Sequence, residues 1–342
     1  MGIIDLCERG LIPDSLTKFG MRRSINRRLQ QELAGGSEAQ QQRFRTFIDE
    51  LKRSPIALSV EEANEQHYEL PVEFFLHALG PHLKYSSCYW PTQTTTLAEA
   101  EEHMLELTCE RAGIVDGDNV LELGCGWGSL TLWMARRFPN SKIVAVSNST
   151  QQKTFILDRA QSRSLGNIEV VTADMNDFDT EHVFDRVVSV EMFEHMRNYQ
   201  ELLSRIARWL KPDGTLFVHI FCHAKVMYPF DVKDQQDWMA RYFFTNGIMP
   251  ARHTLAEFQN DLILEQSWDV SGMHYSRTAY AWLDRQDSAR KEIIPAFEKT
   301  YGQDQARVWF QRWRMFFMAC GEFFATNKGK EWFVAHYFMR KR

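Results

Sequence analysis

VLELGCGWGSL, residues 120–130, is an apolar run holding one acid, followed by glycines at 124, 126 and 128 and then the start of a helical pattern. Glycine at these positions lets backbone amides come close to a ligand and aims a helix N-terminus at it, while Glu122 and the strand end fix the approach. The spacing selects the ligand. A dinucleotide-binding turn reads GxGxxG and a phosphate loop carries a lysine, whereas this turn is GxGxG with neither. S-adenosylmethionine suits it better: its amino acid portion needs amides and carboxylate partners, and its sulfonium favours carbonyls and aromatic faces. The turn alone also fits a plain strand-to-helix connection, so the rest of the chain has to decide.

Outward from this turn, strand and helix alternate. Val120–Leu123 is followed by a helix to Phe138, a strand at Lys142–Ser147, a helix to Leu165, strands at Ile168–Thr172 and Phe184–Val190, a helix to Leu210 and a strand at Thr215–Phe221. Such alternation predicts an α/β fold with a parallel sheet covered on both faces and its ligands at the carboxyl ends of the strands. The positions to inspect are therefore Gly124, Asn148, Asp174, Glu191 and the segment after His219.

Residues 1–113 read as a helical N-terminal cap: Ser15–Ala34 stopped by Gly35-Gly36, Ser37–Arg53 stopped by Pro55, capping boxes at Ser59–Glu62 and Thr96–Glu99, and a short helix opened by Pro71. Residues 114–221 are the binding core. Past Phe221 the alternation stops, and 222–300 reads as a lid or insertion, rich in aromatics and methionine near turns at Tyr228-Pro229 and Asn246-Gly247. Residues 301–342 read as a helix and, at Trp332–Phe338, the final strand of the core. Trp309, Trp313, Phe316 and Phe317 form a stripe at partly helical spacing, which reads as core before it reads as a cation-binding cage; left outside, such a face would favour a homodimer.

The 342 residues carry 40 Lys and Arg against 45 Asp and Glu, a net charge of −5, so no basic field points to nucleic acid or an anionic membrane. Six cysteines, at 7, 88, 109, 125, 222 and 320, are dispersed without a CxxC pair, which suits reduced thiols in a cytoplasmic enzyme and not structural zinc. Asp5, Glu8 and Arg9 stand where a signal peptide needs an apolar stretch, and no uncharged run approaches a membrane span, so no stable membrane anchor is expected. Gly2 does not complete a myristoylation motif, because Leu6 stands where Ser or Thr is required.

VSVEMFEHM, residues 188–196, places Glu191, Glu194 and His195 directly after a strand, at a ligand-facing end where two carboxylates and an imidazole are costly unless used. Methyl transfer from a sulfonium needs a neutral lone pair in line, and an alkylamine is mostly protonated at neutral pH. An amine methyltransferase therefore needs a proton acceptor and a pocket that disfavours the ammonium. Glu194 or His195 fits that role; the competing reading is that these residues cap a helix and anchor the lid. The Glu-x-x-Glu-His order lacks the Glu-x-x-His spacing of a di-metal site, and His219 and His223, four apart on a strand, do not converge, so no metal is expected. Asn148 stands where nucleoside-binding folds oppose the ribose hydroxyls, and Asp174 with Met175 could meet the adenine.

With these residues in hand, the chain resembles the cyclopropane fatty acid synthase superfamily of S-adenosylmethionine-dependent methyltransferases. YSSCYW at 85–90, VLELGCGWGSL at 120–130, SNSTQQK at 147–153, SVEMFEHMRNYQ at 189–200, LFVHIFCHA at 216–224, DWMARYFF at 237–244 and EWFVAHYF at 331–338 look most like its coclaurine and pavine N-methyltransferase branch. The resemblance implies a class I methyltransferase fold, Rossmann-like with a mixed seven-stranded sheet, in which a helical N-terminal segment and a helical lid close over the substrate. By that similarity Tyr85, Ser86, Gly124, Gly126, Asn148, Gln152, Asp174, Met175 and Val190 line the cofactor site. Glu191, Glu194 and His195 hold and deprotonate a small aromatic amine, and Trp238, Tyr242, Phe243 and Phe244 form its pocket. Lipid-cyclopropanating members usually carry Gly where Glu191 stands and hold a bicarbonate near residues matching Cys88, Glu194 and His219. Methylene transfer to lipid alkenes is therefore the alternative, and Glu191 argues against it. Asn246-Gly247 departs from the Gly-Gly more usual in the alkaloid enzymes.

Overall fold

A computed structural model of the chain describes residues 2–58, 70–92, 95–232 and 237–342. Its framework is a seven-stranded sheet of β1 (Asn119–Leu123), β2 (Lys142–Ser147), β3 (Ile168–Thr172), β4 (Phe184–Val190), β5 (Leu210–His223), β6 (Leu262–Val270) and β7 (Trp332–Lys341), in the order β3-β2-β1-β4-β5-β7-β6. β7 alone runs antiparallel to its neighbours. The chain order reverses between β1 and β4, and the crevice beyond their carboxyl ends is where such sheets bind ligands.

Both faces of the central strands are buried, which is why they read as continuous apolar runs. Leu121 and Leu123 of β1 pack with Leu202, Leu203 and Ile206 of the helix Tyr199–Trp209. Val120 points the other way, against Leu105 and Cys109 of α5 and Leu130 and Met134 of α6. Here α1 is Ile3–Glu8, α2 Asp14–Leu33, α3 Gly36–Arg53, α4 Val72–Ala78, α5 Leu97–Ala112 and α6 Ser129–Arg137. The Thr96–Glu99 capping box starts α5 as expected, with the Glu99 carboxylate taking the Thr96 N–H at 2.7 Å. The Ser59–Glu62 box lies outside the described residues.

A second core covers the open end of the sheet. α7 (Thr150–Ser162), α8 (Tyr199–Trp209) and the short α9 (Trp238–Tyr242) are followed by α10 (Gly272–Ser288), α11 (Arg290–Tyr301) and α12 (Gln303–Ala325). Phe310, Trp313 and Phe317 of α12 are fully buried with Phe74, Trp282 and Phe297. Each such side chain contributes roughly 1.5–3 kcal/mol by leaving water. Trp313 and Phe317 of the aromatic stripe are thus core, while Trp309 and Phe316 are half-buried.

Two expectations change. β5 starts at Leu210, five residues early, because Leu210 pairs with Phe184 before a register shift. The segment 222–300 is not all lid: β6 lies within it and pairs with β7 from Leu262 to Val270. As an edge strand it is largely exposed at its centre and shows neither alternation nor a continuous apolar run.

Candidate functional site

The glycine turn is a left-handed one. Gly124, Gly126 and Gly128 have φ of 79°, 52° and 78°, and the N–H groups of Gly124 and Cys125 both donate to Val146 O at 3.0 Å, tying the turn to β2. A Cβ on Gly124 would meet Met192 at 2.8 Å, whereas one on Gly126 would enter open space. Beneath the turn, Glu122 is buried and accepts a hydrogen bond from Thr131 Oγ1; burial pushes its carboxyl up to about 8. Gln152 accepts from Ser147 Oγ at 2.6 Å, and its buried Nε2 has no hydrogen-bond partner, nor has the buried hydroxyl of Ser129. A buried amide left unsatisfied costs free energy unless a ligand completes it.

These groups open on a cavity of about 920 Å³ and an adjoining recess of about 80 Å³. Tyr85, Ser86 and Val190 line the cavity, while Asn148, Asp174 and Met175 line the recess. Gly124, Gly126 and Gln152 line both, so all nine residues expected to hold the cofactor line the cavity or the recess beside it. Beyond Glu191 the cavity turns aromatic, walled by Trp238, Phe244, Phe316 and Phe323 and roofed by α1 and α2.

Glu191 stands where the two regions join and lines both. Its φ is 47°, a left-handed backbone that costs a side-chain-bearing residue about 1–2 kcal/mol and that glycine takes freely. Its carboxylate collects three donors. Ser87 N–H and His219 Nε2–H reach Oε1 at 2.9 and 3.1 Å, and the Tyr275 hydroxyl reaches Oε2 at 2.6 Å. Burial raises its affinity for a proton, while the Lys84 ammonium, Tyr275 and Ser87 oppose that shift. Lys84 is itself buried, donating to Ser86 Oγ and Ser87 O, and with the buried Glu101, which accepts from His82 N and Lys84 N, it shapes the 82–88 loop.

His195 also lines both regions, edge-on to Phe244 at 4.7 Å. Glu194 does not. It is fully buried behind the wall, with Oε1 accepting from Phe221 N at 2.7 Å and Oε2 unpartnered. Burial and the neighbouring Glu191 carboxylate hold its carboxyl well above the ordinary range, and because it lines neither region it does not reach an amine bound there. Phe243 and Tyr242 also leave the expected set. Phe243 is fully buried, stacked on Phe316 at 4.5 Å, and Tyr242 packs under the Arg312 guanidinium. The first turn of α9, Trp238 to Ala240, lines the cavity, while Tyr242 and Phe243 beyond it turn to α12.

Tyr275 and Phe323 enter the site without having been singled out for it, and Phe316 and Cys320 line it with them. Tyr275 sits early in α10, 84 residues from the carboxylate it binds, and no spacing in the sequence marks that contact. Phe316 signalled through the stripe, one face of which is core and the other cavity wall. Burial pushes the Cys320 thiol up to about 12, which suits a packing residue and not a nucleophile. Among the described residues no cluster of His, Cys, Asp and Glu could hold a metal ion.

Comparison with known proteins places this geometry. The mycolic acid cyclopropane synthetase family matches residues 58–332. The chain is 40% identical to (S)-coclaurine N-methyltransferase of Thalictrum flavum subsp. glaucum, over 98% of this chain and 94% of that one. It is 34% identical to pavine N-methyltransferase of the same plant, over 99% and 96%. The crystal structure of coclaurine N-methyltransferase bound to N-methylheliamine and S-adenosylhomocysteine superposes with a TM-score of 0.96, 38% identity and 99% coverage of both chains.

Proposed function

The chain belongs to the mycolic acid cyclopropane synthetase family, and on that premise we propose that it is an S-adenosylmethionine-dependent N-methyltransferase acting on a tetrahydroisoquinoline-like amine. The observation that carries the proposal is the Glu191 carboxylate, set between the glycine turn and an aromatic cavity and dressed by three donors. A carboxylate held there by three donors attracts an ammonium and has no use toward a neutral alkene.

The polar half of the space fits the cofactor. Gly126 leaves open space beside backbone amides, Ser129 and Gln152 offer buried hydroxyl and amide groups without partners, and Asn148 with Asp174 face the recess. Held there, S-adenosylmethionine supplies a sulfonium-activated methyl group open to displacement by a neutral amine. The amine arrives as a cation. Trp238, Phe244, Phe316 and Phe323 bind its ring system and exclude water, and Glu191 draws the nitrogen to the junction. His195, edge-on to Phe244, takes the proton from that nitrogen and leaves its lone pair free. Glu194 supports this turn from behind, anchoring it to β5 through Phe221 N–H.

No helix among the described residues is long and apolar enough to cross a membrane. With all six cysteines free, the reading extends to a cytoplasmic enzyme with a small-molecule partner.

Mass spectrometry of the protein with S-adenosylmethionine and a panel of tetrahydroisoquinolines, run beside unsaturated phospholipid, tests this. Methylated amine is expected, lost roughly 100-fold or more in kcat/KM on Glu191→Gln or His195→Ala. A cyclopropanated lipid with untouched amines would transfer the chain to the alkene chemistry of the family.

A further inference from the structure

Two buried histidines behind Glu191 lie outside the methyl-transfer steps described above. His219 of β5 and His336 of β7 are cross-strand partners, both fully buried, with ring centroids 4.7 Å apart. Polar side chains in the middle of a sheet are costly unless every group is satisfied. Here they form a chain: Arg111 Nη1 lies 2.8 Å from His336 Nδ1, His336 Nε2 2.9 Å from His219 Nδ1, and His219 Nε2 3.1 Å from Glu191 Oε1.

The direction of that chain follows from chemistry. A guanidinium only donates, so His336 Nδ1 accepts and its single N–H sits on Nε2. That N–H points at His219 Nδ1, which must accept, leaving His219 protonated on Nε2 and donating to Glu191. Burial pushes both imidazoles well below their usual range, with Lys84 and Arg111 adding to the effect, so both stay neutral and keep these tautomers. Arg111 is fixed from outside by the Trp268 ring, 4.9 Å from its guanidinium carbon.

We propose that Arg111 and His336 are positioning residues for methyl transfer, forming a one-way hydrogen-bond relay that makes His219 a donor to the Glu191 carboxylate. A permanent cation on α5 thereby orients a carboxylate it never touches. The inference rests on Glu191 acting on the amine. The other groups facing Glu191 are Ser87 N–H and Lys84 from the 82–88 loop, Tyr275 from α10, Cys320 from α12, and the neighbouring Cys88 and Glu194, whose burial holds a thiol and a carboxyl well above their ordinary ranges.

The test is the pH dependence of kcat at saturating amine and cofactor in Arg111→Met, His336→Phe and His336→Gln, with calorimetric S-adenosylhomocysteine binding alongside and Glu191→Gln as reference. Losing the relay removes a donor to the carboxylate, so the acid limb should move up by about one pH unit in Arg111→Met and His336→Phe, with unchanged S-adenosylhomocysteine affinity. Glutamine can accept from Arg111 and donate to His219, so His336→Gln should restore the wild-type profile. A folded, ligand-binding Arg111→Met or His336→Phe with the wild-type profile would overturn the relay. Should His336→Phe not fold, Arg111→Met decides, because its side chain is partly exposed. Full activity in Glu191→Gln would instead overturn the reading of the site.

Discussion

At the scale of single residues, the site gives up local stability by keeping titratable carboxyl groups away from water. Glu191 occupies a left-handed backbone, Glu194 leaves Oε2 unpartnered, and Glu122 is buried with one hydroxyl donor. Glu122 has a measurable consequence. Its carboxyl rises from 4.5 to about 8 on folding, so between those values the folded chain holds a proton that the unfolded chain has released. Stability therefore falls as pH rises through that window. Glu122→Gln removes the titration, and its unfolding temperature should decline less than that of wild type between about pH 5 and pH 8, a difference worth a few kcal/mol at most. Parallel declines would mean the unfolded and folded states hold the Glu122 proton alike.

At the scale of elements, the N-terminal helices cover the cavity without a full hydrophobic seam. α2 buries only Thr17 completely and leaves Leu16 and Phe19 about 60% exposed. Polar latches hold these helices down. Glu8 of α1 receives Arg312 through Nε and Nη2, both at 3.0 Å, and Trp238 Nε1 at 2.8 Å, joining α1, α9 and α12. Arg314 bridges Asp14 to Asp287, and Arg22 pairs with Glu322. Glu8→Ala leaves three N–H donors, on Arg312 and Trp238, without this acceptor, at a local cost of about 1–3 kcal/mol. Hydrogen exchange should quicken in α1 and α9 and KM for the amine should rise, with the sheet's protection unaltered. Uniform loss of protection would show that the latch supports the whole fold.

For the whole molecule, two cores face each other across the ligand space, one built on the sheet and one on α4 and α10–α12. A ligand bound between them stabilises the folded state by mass action, about 2.7 kcal/mol at a hundred times Kd. S-adenosylhomocysteine at that concentration should raise the unfolding temperature by several degrees, and Gln152→Leu, which removes the unpartnered amide, should shrink the rise. A temperature unmoved by the ligand in the wild-type chain would remove the cofactor from this space.

Local signals carried much of the fold. The GxGxG turn, the strands Lys142–Ser147, Ile168–Thr172 and Phe184–Val190, and the Thr96 cap depend on backbone conformation, continuous burial and capping within a few residues, and all stand where the sequence put them. The residues expected around a cofactor line the cavity and its recess, those after strands because strand ends announce themselves by position and Tyr85, Ser86 and Gln152 through the resemblance. What failed depended on neighbours distant in the chain. Val188–Met196 shows two carboxylates in one turn, but only packing against β5 sends Glu194 inward while Glu191 faces the cavity. DWMARYFF shows five aromatics or long apolar side chains, but the direction of α9 turns Phe243 into the core. The Tyr275 hydroxyl and the Arg111–His336–His219 chain come from four elements spread over more than 200 residues. The sequence by itself determined which strand ends open on the cavity and its recess; only the tertiary structure decided which carboxylate faces that space, because hydrogen-bond partners and burial are set by segments that local pattern does not join.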